Sequence, residues 1–256
     1  MTKNIILIPT RIQSKRLKRK ALLKIENIPI IVHTYFRARL SKLADEVYVC
    51  TDSPEIIFQL KIFKIPFVKT ASHHKNGTER INEAAKKLNL SNDDIIIDVQ
   101  GDEPLINPEN IDNTINFFKN KNFEIVVPNI VVLKKFNNES IVKILSNSEG
   151  SILWMSRSQI PCFYNKKFSS YQKHLSVIIF TKKSLRKYCS FGMSKYEKIE
   201  SIELLRAIEN KMTLGTLSLG GDSFSIDTIK DYKKALLFFK RDLIKLKYLS
   251  KLKNIC

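Results

Sequence analysis

Two apolar runs, Asn4–Pro9 and Ile95–Val99, set the tightest limit on what this chain can fold into. The first is continuous and ends in a proline, as a buried parallel strand does, and the second is a strongly apolar strand. Between them lie helix-like stretches: Ile30–Leu40 just after Pro29, Pro54–Phe63 opening on a proline, and a helix capped by Thr78 and running through Leu88. Val47–Thr51 and Pro66–Lys69 read as further strands. Strands alternating with helices at this spacing predict parallel βαβ units, and such a sheet binds ligands beyond the carboxyl ends of its strands.

After about residue 122 the alternation loosens. Glu124–Leu133, Ser140–Leu145 and Ser176–Phe180 predict strands, and Ser201–Lys211 and Thr228 to about Lys245 predict helices. The lysine-rich stretch Phe238–Lys253 has apolar residues at helical spacing. We read it as an amphipathic helix packed on its own domain, with a membrane-surface or partner-binding helix as the alternative. The expected fold is α/β: one compact unit with a mostly parallel sheet flanked by helices and a smaller inserted or appended sheet. One domain is expected over residues 1–256, with a C-terminal helix over 228–256.

A chain of 256 residues, 43% hydrophobic and 27% charged, has ordinary globular composition and length enough for a sizeable core. No apolar run approaches the ~18 residues that span a bilayer, and Ile5–Pro9 is too short for a signal peptide core, so membrane insertion is not expected and a cytoplasmic location is. Cys50, Cys162, Cys189 and Cys256 lack paired spacing; buried, reduced thiols in or near strands are expected rather than zinc or disulfides. The net charge of +19 would suit a nucleic-acid binder, but the lysines are spread along a chain that is also rich in Ile and Asn, and no RNA or recognition-helix motif accompanies them. Nucleic acid is therefore not an expected partner.

Three segments carry candidate chemistry. Directly after the first strand, Arg11, Lys15, Arg16, Lys18, Arg19 and Lys20 put six cations within ten residues, where a triphosphate is neutralised if the loop is not merely solvated. It is not a P-loop. After the strand Ile95–Val99, Gln100-Gly101-Asp102-Glu103-Pro104 presents Asp102 at the carboxyl edge. Magnesium favours one or two carboxylates plus substrate phosphates, and Asp227 supplies a second, unless it caps the helix that follows. In Asn76-Gly77-Thr78-Glu79-Arg80, a glycine and threonine at a helix start offer N–H groups and a hydroxyl to an anion or a base edge. The adjacent His73 and His74 point in different directions and lack a third metal ligand.

Taken in order, Arg11-x-x-Ser14-x-Arg16-Leu17-x-x-Lys20, Asn76–Arg80, Gln100–Pro104, Ser156-Arg157-x-x-Ile160-Pro161, Lys173-His174-Leu175, Glu200-x-x-Glu203-x-x-Arg206 and Asp227-Thr228 resemble the motifs of CMP-Kdo synthetases, the 3-deoxy-manno-octulosonate cytidylyltransferases. The ordered set covers about residues 4–240. The resemblance implies CTP and Kdo as substrates, CMP-Kdo and pyrophosphate as products, Mg2+, a homodimer, and a role in lipopolysaccharide biosynthesis. It implies a nucleotide-binding, mostly parallel sheet at about 1–122, and a sugar-binding and dimerisation part at about 123–220 whose smaller inserted sheet serves dimerisation. It further implies that Arg11, Arg16 and Lys20 hold the triphosphate and that Asn76, Gly77, Thr78 and Arg80 line the cytidine site. Asp102 and Asp227 would hold magnesium, and Gln100, His174 and Glu203 would face the sugar acid.

The chain departs from that pattern in two places. The family's Leu-Pro-Gly-Lys-Pro is Leu17-Lys18-Arg19-Lys20-Ala21 here, which removes a preset φ and a position free to take positive φ, so an altered or looser turn is expected. On the sugar side, Ile178 and Leu204 replace polar residues, which predicts a modified Kdo such as an amino sugar. Activation of a sialic-like acid and a non-catalytic nucleotide-binding descendant are the alternatives.

Overall fold

The computed structural model describes all residues except 1, 15, 134–137, 163, 165–169, 222–223 and 253–256, together with the side chain of residue 251; Lys15 and Cys256 lie outside the described set. The first strand, β1 (Asn4–Pro9), is buried throughout and runs parallel to two neighbours. A basic loop and a short 3-10 turn (Lys20–Leu22) lead into a two-stranded hairpin, β2 (Lys24–Ile25) and β3 (Ile28–Pro29). Then α1 (Ile30–Ala38), β4 (Glu46–Thr51), α2 (Pro54–Ile62), β5 (Phe67–Lys69), α3 (Gly77–Lys87) and β6 (Ile95–Val99) follow the expected alternation, and α4 (Pro108–Asn120), which was not expected, extends it. β1 pairs parallel with β4 on one side and β6 on the other, and β5 extends the sheet beyond β4.

The sheet is covered on both faces, and β1 shows how. Ile6 and Ile8 join a core with α1, α2 and α4, whereas Ile5 and Leu7 join a second core with α3. Alternate residues point to opposite faces, so a strand covered on both sides is apolar along almost all of its length, and a polar residue in it stands out. Each such fully buried Ile or Leu contributes about 1.5–3 kcal/mol.

The second half does not form a separate body. β7 (Ile125–Val126), β12 (Val177–Thr181) and β13 (Leu214–Gly215) belong to the large sheet, whose order is β13-β7-β12-β6-β1-β4-β5. β12 runs antiparallel to β6 and makes the sheet mixed. A smaller antiparallel sheet, order β10-β9-β11-β8, is built from β8 (Asn129–Val132), β9 (Lys143–Ser146), β10 (Ile152–Ser156) and β11 (Tyr171–His174). The expected strand Glu124–Leu133 is thus two strands in two sheets. Pro128 lies at the break and has no N–H to continue a ladder.

The helices differ from expectation in three further places. Thr78 does not cap α3; Asn76 does, through an Oδ1 that accepts from Glu79 N at 2.8 Å. The predicted helix Ser201–Lys211 is shorter. Two unpredicted helices precede it, α5 (Lys182–Ser190) and α6 (Lys195–Glu200), the second ending where Ser201 turns left-handed, and α7 begins only at Leu205 (Leu205–Glu209). The C-terminal stretch is two helices, α8 (Ile229–Lys240) and α9 (Leu246–Leu252). Between them Asp242 is held by the buried Arg37 guanidinium, whose remaining donors go to the carbonyls of Ile106 at 2.7 Å and Leu105 at 3.1 Å. The thiol expectation also needs correcting: Cys50 is buried in a strand, but Cys162 is exposed and Cys189 sits half-buried in α5.

The basic loop makes a tight turn without a glycine. Arg19 adopts φ 54, ψ 31, and its carbonyl accepts from Leu22 N at 2.9 Å while its guanidinium pairs with Glu55. An arginine thus takes the left-handed position and carries its strain, about 1–2 kcal/mol. Arg19→Gly is expected to raise unfolding stability by about 0.5–1 kcal/mol in urea titrations, since relief of that strain is partly cancelled by a freer unfolded chain. A second prediction concerns His33 in α1. Its Nε2–H donates to Ile25 O at 2.9 Å, its Nδ1 accepts from Tyr248 OH at 2.9 Å, and burial lowers its pKa to about 4. Because the unfolded state takes up a proton near pH 6.5 and the folded state does not, His33 makes stability fall as pH drops from about 6.5 to about 4. The slope is at most ~1.4 kcal/mol per pH unit, and urea titrations of His33→Gln should show it reduced.

Candidate active site

Three loops meet at the carboxyl edge of the sheet. They follow β1 and β6 and precede α8, and they enclose with the start of α3 a cleft of about 400 Å3. Two of the meeting points need glycine for lack of space. A Cβ on Gly101 would lie 3.0 Å from Pro9 O and 3.1 Å from Thr10 Cβ, and one on Gly77 would lie 3.0 Å from Pro9 Cγ. The start of α3 and the loop after β6 are thereby pressed against the end of β1. Ile226 N donates to Asp102 O at 3.0 Å, which sets the loop before α8 beside the loop after β6.

The carboxylates of Asp102 and Asp227 converge on one cation. Lys20 Nζ bonds Asp102 Oδ2 and lies 3.0 Å from Asp227 Oδ1, and Arg16 reaches Asp227 Oδ2 at 3.0 Å. Burial alone would lower the Lys20 pKa, but Asp102 and then Asp227 outweigh it and raise it, so the ammonium stays charged. Asp227 does not cap α8. Thr228 does, accepting from Asp231 N, which leaves the Asp227 carboxylate facing the cleft. Among the described residues no group of three or more His, Cys, Asp or Glu gathers as a metal cage. A pair of hard oxygen donors already closed around a positive charge nevertheless fits magnesium, which takes its other ligands from phosphates and water.

Of the expected site residues, Arg11, Arg16, Lys20, Asn76, Gly77, Arg80, Gln100, Asp102, Glu203 and Asp227 line the cleft. Asn76 does so with its side chain committed to capping α3, and Arg80 with its guanidinium on Asp52 at 2.8 Å. Thr78 is not among the lining residues; its hydroxyl donates to Glu203 Oε2 at 3.2 Å and holds that carboxylate in place. Burial raises the Glu203 pKa. His174 also lies outside the lining. It ends β11 in the small sheet, where burial, and then Lys173 and Arg157, lower its pKa to about 4 and keep it neutral.

The Glu200-Glu203-Arg206 spacing divides its labour. Glu200 accepts from Ser156 Oγ at 2.6 Å and Arg157 N at 2.9 Å, while Arg206 forms a buried two-point pair with Glu197 at 2.8 and 2.5 Å. Only Glu203 reaches the cleft. Leu204 is buried and Ile178 partly buried in the core on the α3 side of the sheet, and neither lines the cleft.

Two further residues belong to the site. His74, set aside above as a metal ligand, lines the cleft, tied to Glu83. Asp98 lies fully buried beneath it, and its Oδ1 accepts from Gln100 Nε2 at 2.9 Å, fixing which way that amide points. Burial, reinforced by Glu203 and Asp102, raises its pKa well above the carboxylate range. A single carboxylate inside the run Ile95-Ile96-Ile97-Asp98-Val99 was the signal that could have exposed it.

The cytidylyltransferase family model matches residues 5–214. A 3-deoxy-manno-octulosonate cytidylyltransferase of Thermodesulfovibrio yellowstonii is 39% identical over 245 residues, which cover 90% of this chain and 96% of that protein. An 8-amino-3,8-dideoxy-manno-octulosonate cytidylyltransferase of Shewanella baltica is 33% identical over 233 residues, 90% of this chain and 95% of that one. Among solved structures, a CMP:2-keto-3-deoxy-manno-octonic acid synthetase complexed with CTP is 28% identical, covers 94% of this chain and 100% of its own, and superimposes with a TM-score of 0.88. With a family match over most of its length and relatives that it covers almost from end to end, this chain belongs to the cytidylyltransferase family, among the 3-deoxy-manno-octulosonate cytidylyltransferases.

Proposed function

We propose that this nucleotidyltransferase transfers CMP from CTP to the anomeric hydroxyl of Kdo, or of a close relative of Kdo, and releases pyrophosphate. The observation that carries the reading is the contact of Lys20 with Asp102 and Asp227 at the sheet edge, beside a basic loop and the N-terminus of α3. Arg11, Arg16 and Lys20 supply positive charge to a triphosphate, and the free N–H groups of α3 add to it. Lys20 remains protonated when phosphates approach, because its own carboxylates hold it so. The sugar hydroxyl attacks the α-phosphorus in line, a P–O bond forms as the bond to the β-phosphate breaks, and pyrophosphate departs. Asp102 and Asp227 would hold magnesium, which supplies charge neutralisation and orientation of the phosphates. Gln100, with its amide fixed by Asp98, and Glu203, fixed by Thr78, offer polar contacts to the sugar acid.

A modified sugar draws no support from Ile178 or Leu204, because both pack in the core. The Shewanella relatives, named for an 8-amino sugar, keep that acid as the second arm of the assay. We also propose a cytoplasmic homodimer formed through the small sheet, which leaves Val131, Leu133 and Leu153 exposed; no helix among the described residues is long and apolar enough to cross a membrane.

Pyrophosphate release is expected with CTP and Kdo and to be lost on chelation of magnesium. Lys20→Ala, Asp102→Asn and Asp227→Asn are each expected to lower kcat by about 10²–10³-fold. Faster turnover of the 8-amino acid would reassign the substrate, and no release with any sugar acid from folded protein would sink the enzyme reading. Leu133→Asp combined with Leu153→Asp is expected to convert the dimer to a monomer in light scattering.

A further inference from the structure

The C-terminal helices hold a surface that neither the fold nor the cleft uses. α8 buries Ala235 and Phe239, but its outward side carries two adjacent rows four residues apart, Ile229-Lys233-Leu237 and Lys230-Lys234-Phe238, all exposed. Ile229 is 57% exposed and Leu237 63%, and in the connection to α9 Leu243 is 76% and Leu246 63% exposed. Isolated exposed leucines are ordinary, but four such side chains with Phe238 in 18 residues make a patch. Between α8 and the β2–β3 hairpin lies a groove of about 470 Å3 walled by Ile25, Leu236, Leu237 and Phe239, with Lys233, Lys240 and Glu26, which pairs with Lys245, also lining it. From Ile229 to Leu252 the sequence has eight Lys or Arg against two Asp.

We propose that this face docks peripherally on an anionic lipid surface, with the exposed leucines entering the headgroup region and the lysines meeting the lipid phosphates. Interleaved lysines and large apolar residues on one helix are what an interfacial contact requires, and each cation near such a surface adds to binding. A second copy of the same face suits it poorly, because a two-fold contact would set like charges against each other. A nucleic acid would be met by the lysines but leaves the leucines unexplained. The contact is a surface one, since neither α8 nor α9 is long enough to span a bilayer. The patch lies outside the cleft, so docking leaves the active site open.

Flotation of the full chain with vesicles tests this. Binding is expected to vesicles of equal phosphatidylglycerol and phosphatidylcholine, to weaken in high salt, and to be absent with phosphatidylcholine alone. Leu237→Ser with Leu243→Ser, and separately Lys233→Glu with Lys240→Glu, are expected to lower binding by about tenfold or more while solution turnover stays unchanged, which also shows that the variants fold. No binding by the unaltered chain overturns the proposal. Vesicle binding that survives the leucine changes also overturns it, since it reports counterion attraction alone. If those changes leave vesicle binding intact but convert a dimer to a monomer, the face is an interface between copies instead.

Discussion

The contact between one ammonium and two carboxylates organises the catalytic end of this protein. Lys20, Asp102 and Asp227 come from the loop after β1, the loop after β6 and the turn before α8. Burial would lower the Lys20 pKa, and Asp102 and then Asp227 outweigh it. Removing one partner would leave a half-buried charge without its counter-charge. The trio is thus a clasp for three loops that faces the cleft. Asp227 keeps its carboxylate for this role because Thr228 takes over the capping of α8.

The clasp depends on close approach beneath it. Gly101 and Gly77 let two chain segments touch Pro9 and Thr10, where any side chain would force them apart. Under the cleft, Asp98 accepts from Gln100, and Thr78 donates to Glu203, so the polar side chains on that floor are oriented by partners rather than left to rotate. The basic loop adds a strained element. Arg19 takes a left-handed conformation and stays there because its carbonyl and guanidinium are both engaged. A more positive loop is obtained at some cost in stability.

Much was legible in the sequence. The apolar runs at Asn4–Pro9 and Ile95–Val99, the proline opening α2, and the Gly-Asp after β6 pointed to the βαβ half and to the sheet edge that carries the cleft. The second half was harder to read. β7 and β8 are short, adjacent and in different sheets, and a period-two pattern does not say which sheet a strand joins. Thr78 looked like a helix cap because the residue type suits it, but Asn76 lies one residue ahead of the helix in an extended conformation and takes the role.

By itself the sequence determined that this is a two-sided α/β sheet with a basic loop and two carboxylates at its ligand-binding edge, because apolar periodicity and glycine placement follow from local chain geometry. Only the tertiary structure decided that Asp102 and Asp227 close on the same lysine, that Asp98 lies beneath Gln100, and that Ile178 and Leu204 pack in the core. It also decided that the lysine-rich C-terminus breaks into two helices with an unburied apolar face. The physical reason is common to all of these. A side chain's role depends on what faces it from elements far away in the chain, and residue type fixes what it can bond to but not which partner the fold brings.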